Sequence, residues 1–147
     1  SEWEAGRLGV KKADLDDLYS HCDFVTIHAP LIPETEGMIG ARQLKLLKDG
    51  AVLVNTSRGK VIDHQALIEE LRTGRFLAAL DVTDPEPLPK DSPLRKMPNV
   101  IITPHISGSG HYGYYKIGAS TLQALEDFFA GKTPEGAVNF DQYARIA

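Results

Sequence analysis

The sequence predicts an α/β domain built around a mostly parallel sheet. Short β-branched or apolar runs alternate with amphipathic segments of helical period along the 147 residues. Such alternation is typical of right-handed crossovers between parallel strands. The run AVLVNT (residues 51–56) opens with consecutive apolar residues, as expected for a strand covered on both faces. The length fits one domain, which we set at residues 1–147.

The first elements follow from capping and stop signals. Asp14 can cap a helix that has Leu15, Leu18 and Cys22 on its inward face. Residues 23–30 (DFVTIHAP) then favour a strand that ends at a proline.

The middle of the chain continues the alternation. Residues 41–50 predict a short helix that ends at a glycine, strand 51–56 follows, and Asp63 caps the next helix, which Gly74 ends. The positions predicted to face the core from these two helices are Leu44, Leu47, Leu67, Ile68 and Leu71.

Two strands and a helix complete the series. The strands are residues 76–82 (FLAALDV) and 99–105 (NVIITPH). The proline-rich segment 83–98 between them is a long loop with one short turn, and loops of this length are often functional. The last helix covers residues 115–131. Its apolar positions are Leu122, Leu125, Phe128 and Phe129.

Composition narrows the class of protein. A formal net charge of −4 argues against a nucleic acid or an anionic membrane surface as the partner. There is no signal-peptide pattern and no apolar run long enough to span a bilayer. The single cysteine, Cys22, excludes an internal disulfide and suits a reducing compartment. We therefore expect a cytoplasmic protein with neither nucleic-acid nor membrane partners.

Polar residues follow the carboxyl ends of the predicted strands, where open parallel sheets bind ligands. They include His28, Arg58, Asp81, Glu86 and His105. Each has an ordinary alternative: Arg58 a surface ion pair, Asp81 a strand-end cap, Glu86 a solvated loop residue, His105 a satisfied strand-end histidine. His28 stays open. Together, a cation, carboxylates and an imidazole at one rim indicate a catalytic site. We assign no function to His21, His64 and His111.

The segment GSGHYG (108–113) matches the dinucleotide fingerprint G-x-G-x-x-G and lies between a strand and a helix. The fingerprint also needs an acidic residue after a second strand, about 20 positions on. The acids at that distance, Glu126 and Asp127, fall inside the last helix. We therefore expect these glycines to allow close backbone approach beside His105 instead.

Three motifs carry a family resemblance: residues 22–40 (CDFVTIHAPLIPETEGMIG), 47–94 (LKDGAVLVNTSRG to DSPL) and 98–108 (PNVIITPHISG). They resemble the D-isomer-specific 2-hydroxyacid dehydrogenases, from about residue 12 to 140. The resemblance implies a partial Rossmann-like, doubly wound parallel sheet. It also implies an NAD-dependent oxidoreductase that transfers a hydride between the nicotinamide and a small D-2-hydroxy acid or 2-keto acid.

The resemblance implies catalytic roles for three residues. Arg58 binds the substrate's carboxylate and carbonyl, His105 is the general acid/base, and Glu86 orients His105. These residue types suit the reaction, because a guanidinium binds a carboxylate bidentately and an imidazole beside a carboxylate exchanges protons near neutral pH. Asp81 would accept the nicotinamide carboxamide, and no metal is implied. The implied cofactor-binding residues are Ala29, Pro30, Thr56, Ser57, Arg58, Asp81, His105 and Gly108.

Parts of the family pattern are not found. The chain lacks the Rossmann fingerprint strand, the acidic residue that selects NAD, and the substrate domain. We therefore expect the C-terminal part of a cofactor domain, which is inactive and binds NAD weakly by itself. The family's sheet order leads us to expect two absent strands between strand 23–30 and strand 51–56, which would leave both with unpaired edges. We also expect a homodimer.

Other functions stay open. An NAD-sensing corepressor has the same fold and the same trio of residues, and a catalytically inert fragment is a further possibility. Formate and phosphite dehydrogenases are relatives. The formate enzymes use glutamine at the position of Glu86, so Glu86 argues against that branch. The identity of the acid and the choice of NAD or NADP are not fixed by the sequence.

Overall fold

A computed structural model describes residues 2–110 and 113–143. Four parallel strands form one sheet in the order β1-β2-β3-β4. The strands are β1 (Phe24–Ile27), β2 (Val52–Asn55), β3 (Leu77–Leu80) and β4 (Val100–Ile102). The helices are α1 (Glu2–Leu8), α2 (Leu15–His21), α3 (Ala41–Leu46), α4 (His64–Leu71) and α5 (Gly113–Phe129). The predicted α/β class and parallel sheet are confirmed.

The predicted gap between the first two strands is wrong. β1 lies directly beside β2, with Phe24 opposite Val52 and Ile27 opposite Asn55. The Val52 amide also donates to the carbonyl of Asp23 at 2.9 Å, so no strand fits between them. That expectation came from the sheet order implied by the resemblance, because hydrophobic periodicity predicts which residues form strands and carries no signal for which strands are neighbours. Within the described sheet, the strands at the two edges are β1 and β4.

The helices α3 and α4 pack on the sheet largely as predicted. Their core-facing leucines are buried, and Ile68 is half-buried. Asp63 caps α4 by accepting a hydrogen bond from the Ala66 amide at 3.0 Å. Gly50 and Gly74, which follow these helices, have φ values of +82° and +71°, a conformation that favours glycine.

The predicted inward face of α2 is only partly correct, and the apolar positions of α5 are not covered by the domain. In α2 the core residue is Tyr19, which is 1% exposed, whereas Leu18 is 40% exposed. Asp14 occupies the N-cap position of α2 without a side-chain capping bond. Within the described part of α5 no residue is buried, and its predicted apolar positions are exposed. Among residues 2–110 and 113–143, no helix has both the length and the apolar character required to cross a bilayer.

The loop at 83–98 is long and irregular, as predicted, with one 3₁₀ turn at Pro93–Lys96. Leu88 and Leu94 anchor it in the core. The guanidinium of Arg95 donates to the carbonyls of Leu88 and Pro89 at 2.6 and 2.8 Å. The loop is therefore held at several points along its length, and it brings Glu86 to the carboxyl edge of the sheet.

Candidate active site

The end of β2 presents Arg58 through a turn organised by Asn55. The Asn55 side chain is fully buried; its carbonyl oxygen accepts from the Ser57 amide and hydroxyl, and its amide donates to the Arg58 carbonyl, all at 3.0 Å. A buried asparagine that bonds its own downstream backbone redirects the chain out of the strand. Arg58 therefore emerges exposed at the rim, where its Nη1 donates to the Ser57 carbonyl at 2.9 Å.

Gly59 brings two strand ends into contact. A Cβ at this position would lie 2.8 Å from the Asp84 amide nitrogen and closer still to the Thr83 carbonyl. Glycine is therefore required here because backbone occupies the space of a side chain. The contact joins the loop after β2 to the loop after β3, which carries Glu86. The sequence pattern gives no sign of this role for Gly59.

Asp81, at the end of β3, organises the turn that follows β4. Its carboxylate accepts from the Thr103 hydroxyl at 2.5 Å and from the amides of Ile106 and Ser107 at 2.9 Å. Burial acts to raise the pKa of Asp81, and these hydrogen bonds outweigh that effect, so the pKa lies well below its ordinary value. Asp81 thus serves the strand-end structural role foreseen as its alternative.

His105 and Glu86 form a hydrogen-bonded pair. The His105 Nδ1 and the Glu86 Oε1 are 2.5 Å apart, and both side chains are partly exposed. With Nδ1–H donating to the carboxylate, Nε2 is the ring nitrogen that can exchange a proton with a ligand. His105 has a φ of +54°, which is unusual for a residue with a side chain and is characteristic of functional sites. Its amide donates to the Asp81 carbonyl at 2.9 Å, which fixes the turn.

Two cavities meet at His105. The first has a volume of about 550 Å³, and its lining residues are Thr56, Arg58, His105, Ser107, Gly108 and Ser109. The second, of about 470 Å³, includes Asp81, Glu86 and His105 in its lining. The three residues of the implied catalytic trio therefore lie together, with His105 common to both cavities.

Four of the predicted residues do not line the two cavities at His105, namely Ser57, Ala29, Pro30 and His28. Ser57 turns its hydroxyl to Asn55. Ala29 and Pro30 follow β1, the neighbour of β2, and neither lines the two cavities at His105. His28 shares a hydrogen bond with the Thr26 hydroxyl at 2.8 Å, on an exposed surface.

The segment 108–113 is described only in part, since His111 and Tyr112 lie outside the described residues. A close backbone approach does occur there: a Cβ on Gly113 would lie 2.7 Å from the Gly108 carbonyl oxygen. The Tyr114 hydroxyl donates to the Ser109 hydroxyl at 3.1 Å, across the start of α5.

The edge is suited to the nicotinamide end of a dinucleotide. Asp81 lines the second cavity, its Oδ2 accepts from the Ser107 amide, and a carboxylate oxygen can accept more than one donor, such as a carboxamide. The adjacent lining of Thr56, Ser107 and Gly108 is polar and small. These residues fit the nicotinamide cofactor that the family resemblance implies. No group of three or more potential metal ligands occurs in residues 2–110 and 113–143.

One residue of this region was not foreseen. His64, the first residue of α4, is half-buried, and its Nε2 accepts a hydrogen bond from the Asp84 amide at 3.1 Å. We assigned His64 no function from the sequence because it does not lie at a strand end. No periodicity or motif signals a contact across 20 residues of sequence.

Comparison with known proteins identifies the family of this chain. Residues 1–107 match the family described as "D-isomer specific 2-hydroxyacid dehydrogenase, NAD binding domain". The glyoxylate reductase of Korarchaeum cryptofilum is 42% identical over 133 residues, which are 90% of this chain and 40% of that protein. The formate dehydrogenase of Pseudomonas sp. (strain 101) is 47% identical over 121 residues, or 82% of this chain and 30% of that protein.

A solved structure is similar over most of the fold. The D-isomer specific 2-hydroxyacid dehydrogenase from Xanthobacter autotrophicus Py2, in complex with NADPH and MES, superposes with a TM-score of 0.75 at 35% identity. The match covers 85% of this chain and 51% of that one. The chain spans about 40% of the length of the glyoxylate reductase it matches. Because residues 1–107 match this family, the chain belongs to the NAD-binding domain family of the D-isomer-specific 2-hydroxyacid dehydrogenases.

Proposed function

We propose that the complete protein containing this chain is an NAD(H)-linked oxidoreductase that interconverts a small 2-keto acid and a D-2-hydroxy acid. Residues 1–147 would be the C-terminal portion of its cofactor domain. The observation that carries the proposal is the hydrogen bond between His105 and Glu86 beside a cavity that Arg58 also lines. This arrangement supports the proposal, because it would give one reaction centre both a proton donor and a carboxylate-binding cation.

Arg58 would bind the substrate. Its guanidinium is exposed in the cavity and hydrogen-bonds only a backbone carbonyl among the described contacts, so it can form two parallel hydrogen bonds to a carboxylate. A carboxylate held in this way places the adjacent keto oxygen within reach of the same cation. Such positioning contributes to catalysis by removing orientational freedom before the reaction.

His105 would transfer the proton. Reduction of a keto group leaves an alkoxide, and an imidazolium at His105 Nε2 donates the proton that makes it a hydroxyl. Glu86 would keep the ring oriented by accepting a hydrogen bond from Nδ1–H. The nicotinamide, when bound, supplies or accepts the hydride, and Asp81, Thr56 and Gly108 would hold that end of the cofactor. Ser57, Ala29 and Pro30 would complete the cofactor surface at the ends of β1 and β2.

Formate oxidation is the second candidate, because the formate dehydrogenase of Pseudomonas sp. is 47% identical over 121 residues. Oxidation of formate to carbon dioxide releases a hydride and no proton, so it requires no acid/base group. That reaction therefore does not use the His105–Glu86 pair for proton transfer, whereas reduction of a 2-keto acid requires a proton donor. This chemical difference favours the keto acid reaction.

Steady-state kinetics on the complete protein test the proposal. NADH and NADPH oxidation is followed with glyoxylate, hydroxypyruvate, pyruvate and 3-phosphohydroxypyruvate, and NAD reduction with formate. We expect turnover with at least one keto acid and its loss in His105→Ala. Turnover with formate alone would replace the proposal with the second candidate. Tight NADH binding without any turnover would instead support the corepressor-like alternative. The homodimer and the cytoplasmic location stay predictions, and light scattering on the same preparation tests the first.

A further inference from the structure

The position of Glu86 depends on the backbone just before it. The segment at Thr83–Asp84 packs against Gly59 on one side, where a single added carbon would not fit. The Asp84 amide donates to His64 Nε2 at 3.1 Å, and the Thr83 hydroxyl donates to the Pro85 carbonyl at 2.9 Å. Three contacts therefore fix the chain within three residues of the glutamate, and one of them comes from a histidine on a different element.

We propose that His64 is a positioning residue, which holds Glu86 against His105 by accepting the Asp84 amide hydrogen. This inference rests on the proposed function, since it concerns the same acid/base pair. His64 does not touch the substrate cavity that Arg58 and His105 line. Its effect is transmitted through two residues of backbone to Glu86, whose Oε1 is 2.5 Å from the His105 ring.

The hydrogen bonds require one protonation state of His64. Nε2 can accept from the Asp84 amide only when it carries no proton, so the proton of the neutral ring is on Nδ1, where it can donate to the Ile62 carbonyl at 3.3 Å. A protonated ring would place an N–H against the Asp84 N–H. Protonation would therefore break the contact and release the segment that leads to Glu86.

The surroundings favour the neutral ring. Burial lowers the pKa of His64, and this outweighs the opposing effects of the Ile62 hydrogen bond and of the nearby Asp84 and Asp63 carboxylates. The contact is accordingly formed at neutral pH and weakens as the pH falls through the pKa of the folded state. The charged or titratable groups that line the two cavities bordering His64 are Glu36, Lys60, Asp63, Asp84 and Asp91.

NMR on the 147-residue chain tests the inference without any need for activity. In the neutral form of the wild-type His105 ring we expect the proton on Nδ1, because Glu86 accepts it. His64→Phe keeps a ring of similar size without an acceptor, and it should lose this tautomer preference. His64→Gln can accept from the Asp84 amide and should keep it. His21→Gln, which removes a histidine on an exposed surface of α2, serves as the control.

Two NMR results would overturn the inference about His64. If folded His64→Phe keeps the His105 tautomer of the wild type, the inference is overturned. Should His64→Phe fail to fold, acid titration provides the comparison. The Asp84 and Glu86 amide resonances should move with the His64 ring in the wild type and should not show this movement in His64→Gln. If the Asp84 and Glu86 amide shifts do not change as His64 titrates, the inference is also overturned.

Kinetics on the complete protein add a second readout. We expect His64→Phe to lower kcat by up to about 10²-fold with little change in KM for the keto acid, because misplacement affects the acid/base pair and leaves Arg58 in place. His64→Gln should restore kcat. Gln65→Ala, which removes an exposed Gln65–Glu69 hydrogen bond on the same helix, is the matched control. An inactive wild type would refute the proposed function while the NMR test of His64 still stood.

Discussion

Replacing Gly59 by alanine should destabilise the domain through one steric clash. The added Cβ would lie 2.8 Å from the Asp84 nitrogen and closer to the Thr83 carbonyl, and Cβ atoms in proteins are essentially never closer than 3.0 Å to such neighbours. Both neighbours are backbone, so no side chain can rotate away. Overpacking of this kind costs about 1–3 kcal/mol, and we take the upper end. Alanine also restricts the unfolded chain more than glycine does, which offsets about 0.4–1 kcal/mol of this cost.

The net loss is therefore about 2 kcal/mol, or roughly 30-fold in the ratio of folded to unfolded protein. Urea denaturation followed by far-UV circular dichroism measures it, and a slope of about 2 kcal/mol per molar converts the loss to a midpoint lower by about 1 M. Gly118→Ala, at a helical position with nothing within 4 Å of the added carbon, is the control and should not lower the midpoint. A Gly59→Ala midpoint equal to that of the wild type would refute the reasoning.

Three further substitutions have expected outcomes. Tyr19→Phe removes a buried hydroxyl that has no hydrogen-bond partner among the described residues, and should raise the free energy of unfolding by about 1 kcal/mol; a loss of stability in urea would contradict this. Asp63→Ala removes the α4 cap and should cost about 1 kcal/mol by the same assay. Asp81→Asn should cost about 1–3 kcal/mol at neutral pH by placing an amide against the Ser107 N–H.

The Asp81 substitution also has a pH signature. The pKa of Asp81 is lower in the folded chain than in the unfolded chain, so its stabilising contribution is fully present above the unfolded value, near pH ~4. This contribution is lost as the pH falls below that value toward the folded pKa. Thermal unfolding across this acid range should therefore show a shallower decline for Asp81→Asn than for the wild type. Parallel curves would mean that Asp81 is not the group responsible.

Short apolar runs and helix-capping residues made much of the fold predictable from the sequence. The strands β1 to β4 are short apolar or β-branched runs with clear stop signals, and Asp63 and Gly74 delimit α4 by capping rules that need no tertiary information. The orientation of α2 was not predictable in the same way. Leu18 and Tyr19 are adjacent and both apolar, and the packing of the helix decides which of them is buried.

Strand adjacency and cross-loop contacts lie beyond the sequence pattern. The pairing of β1 with β2 is a tertiary choice that periodicity does not encode. At the site, Arg58, Glu86 and His105 were predictable because they follow strands or match family motifs, and the structure brings them together. Gly59 and His64 were not, since each acts on the Thr83–Asp84 backbone across about 20 residues of chain or more.

The central claim is that His105 and Glu86 act as one acid/base unit. The most direct test is a double-mutant cycle on keto acid reduction by the complete protein, with His105→Gln, Glu86→Gln and both together. We expect His105→Gln to lower kcat by about 10²–10⁴-fold and Glu86→Gln by less, because Glu86 acts through the ring. The double variant should be no slower than His105→Gln alone. Multiplicative losses in the double variant would contradict the account, since they would mean that the two side chains contribute independently.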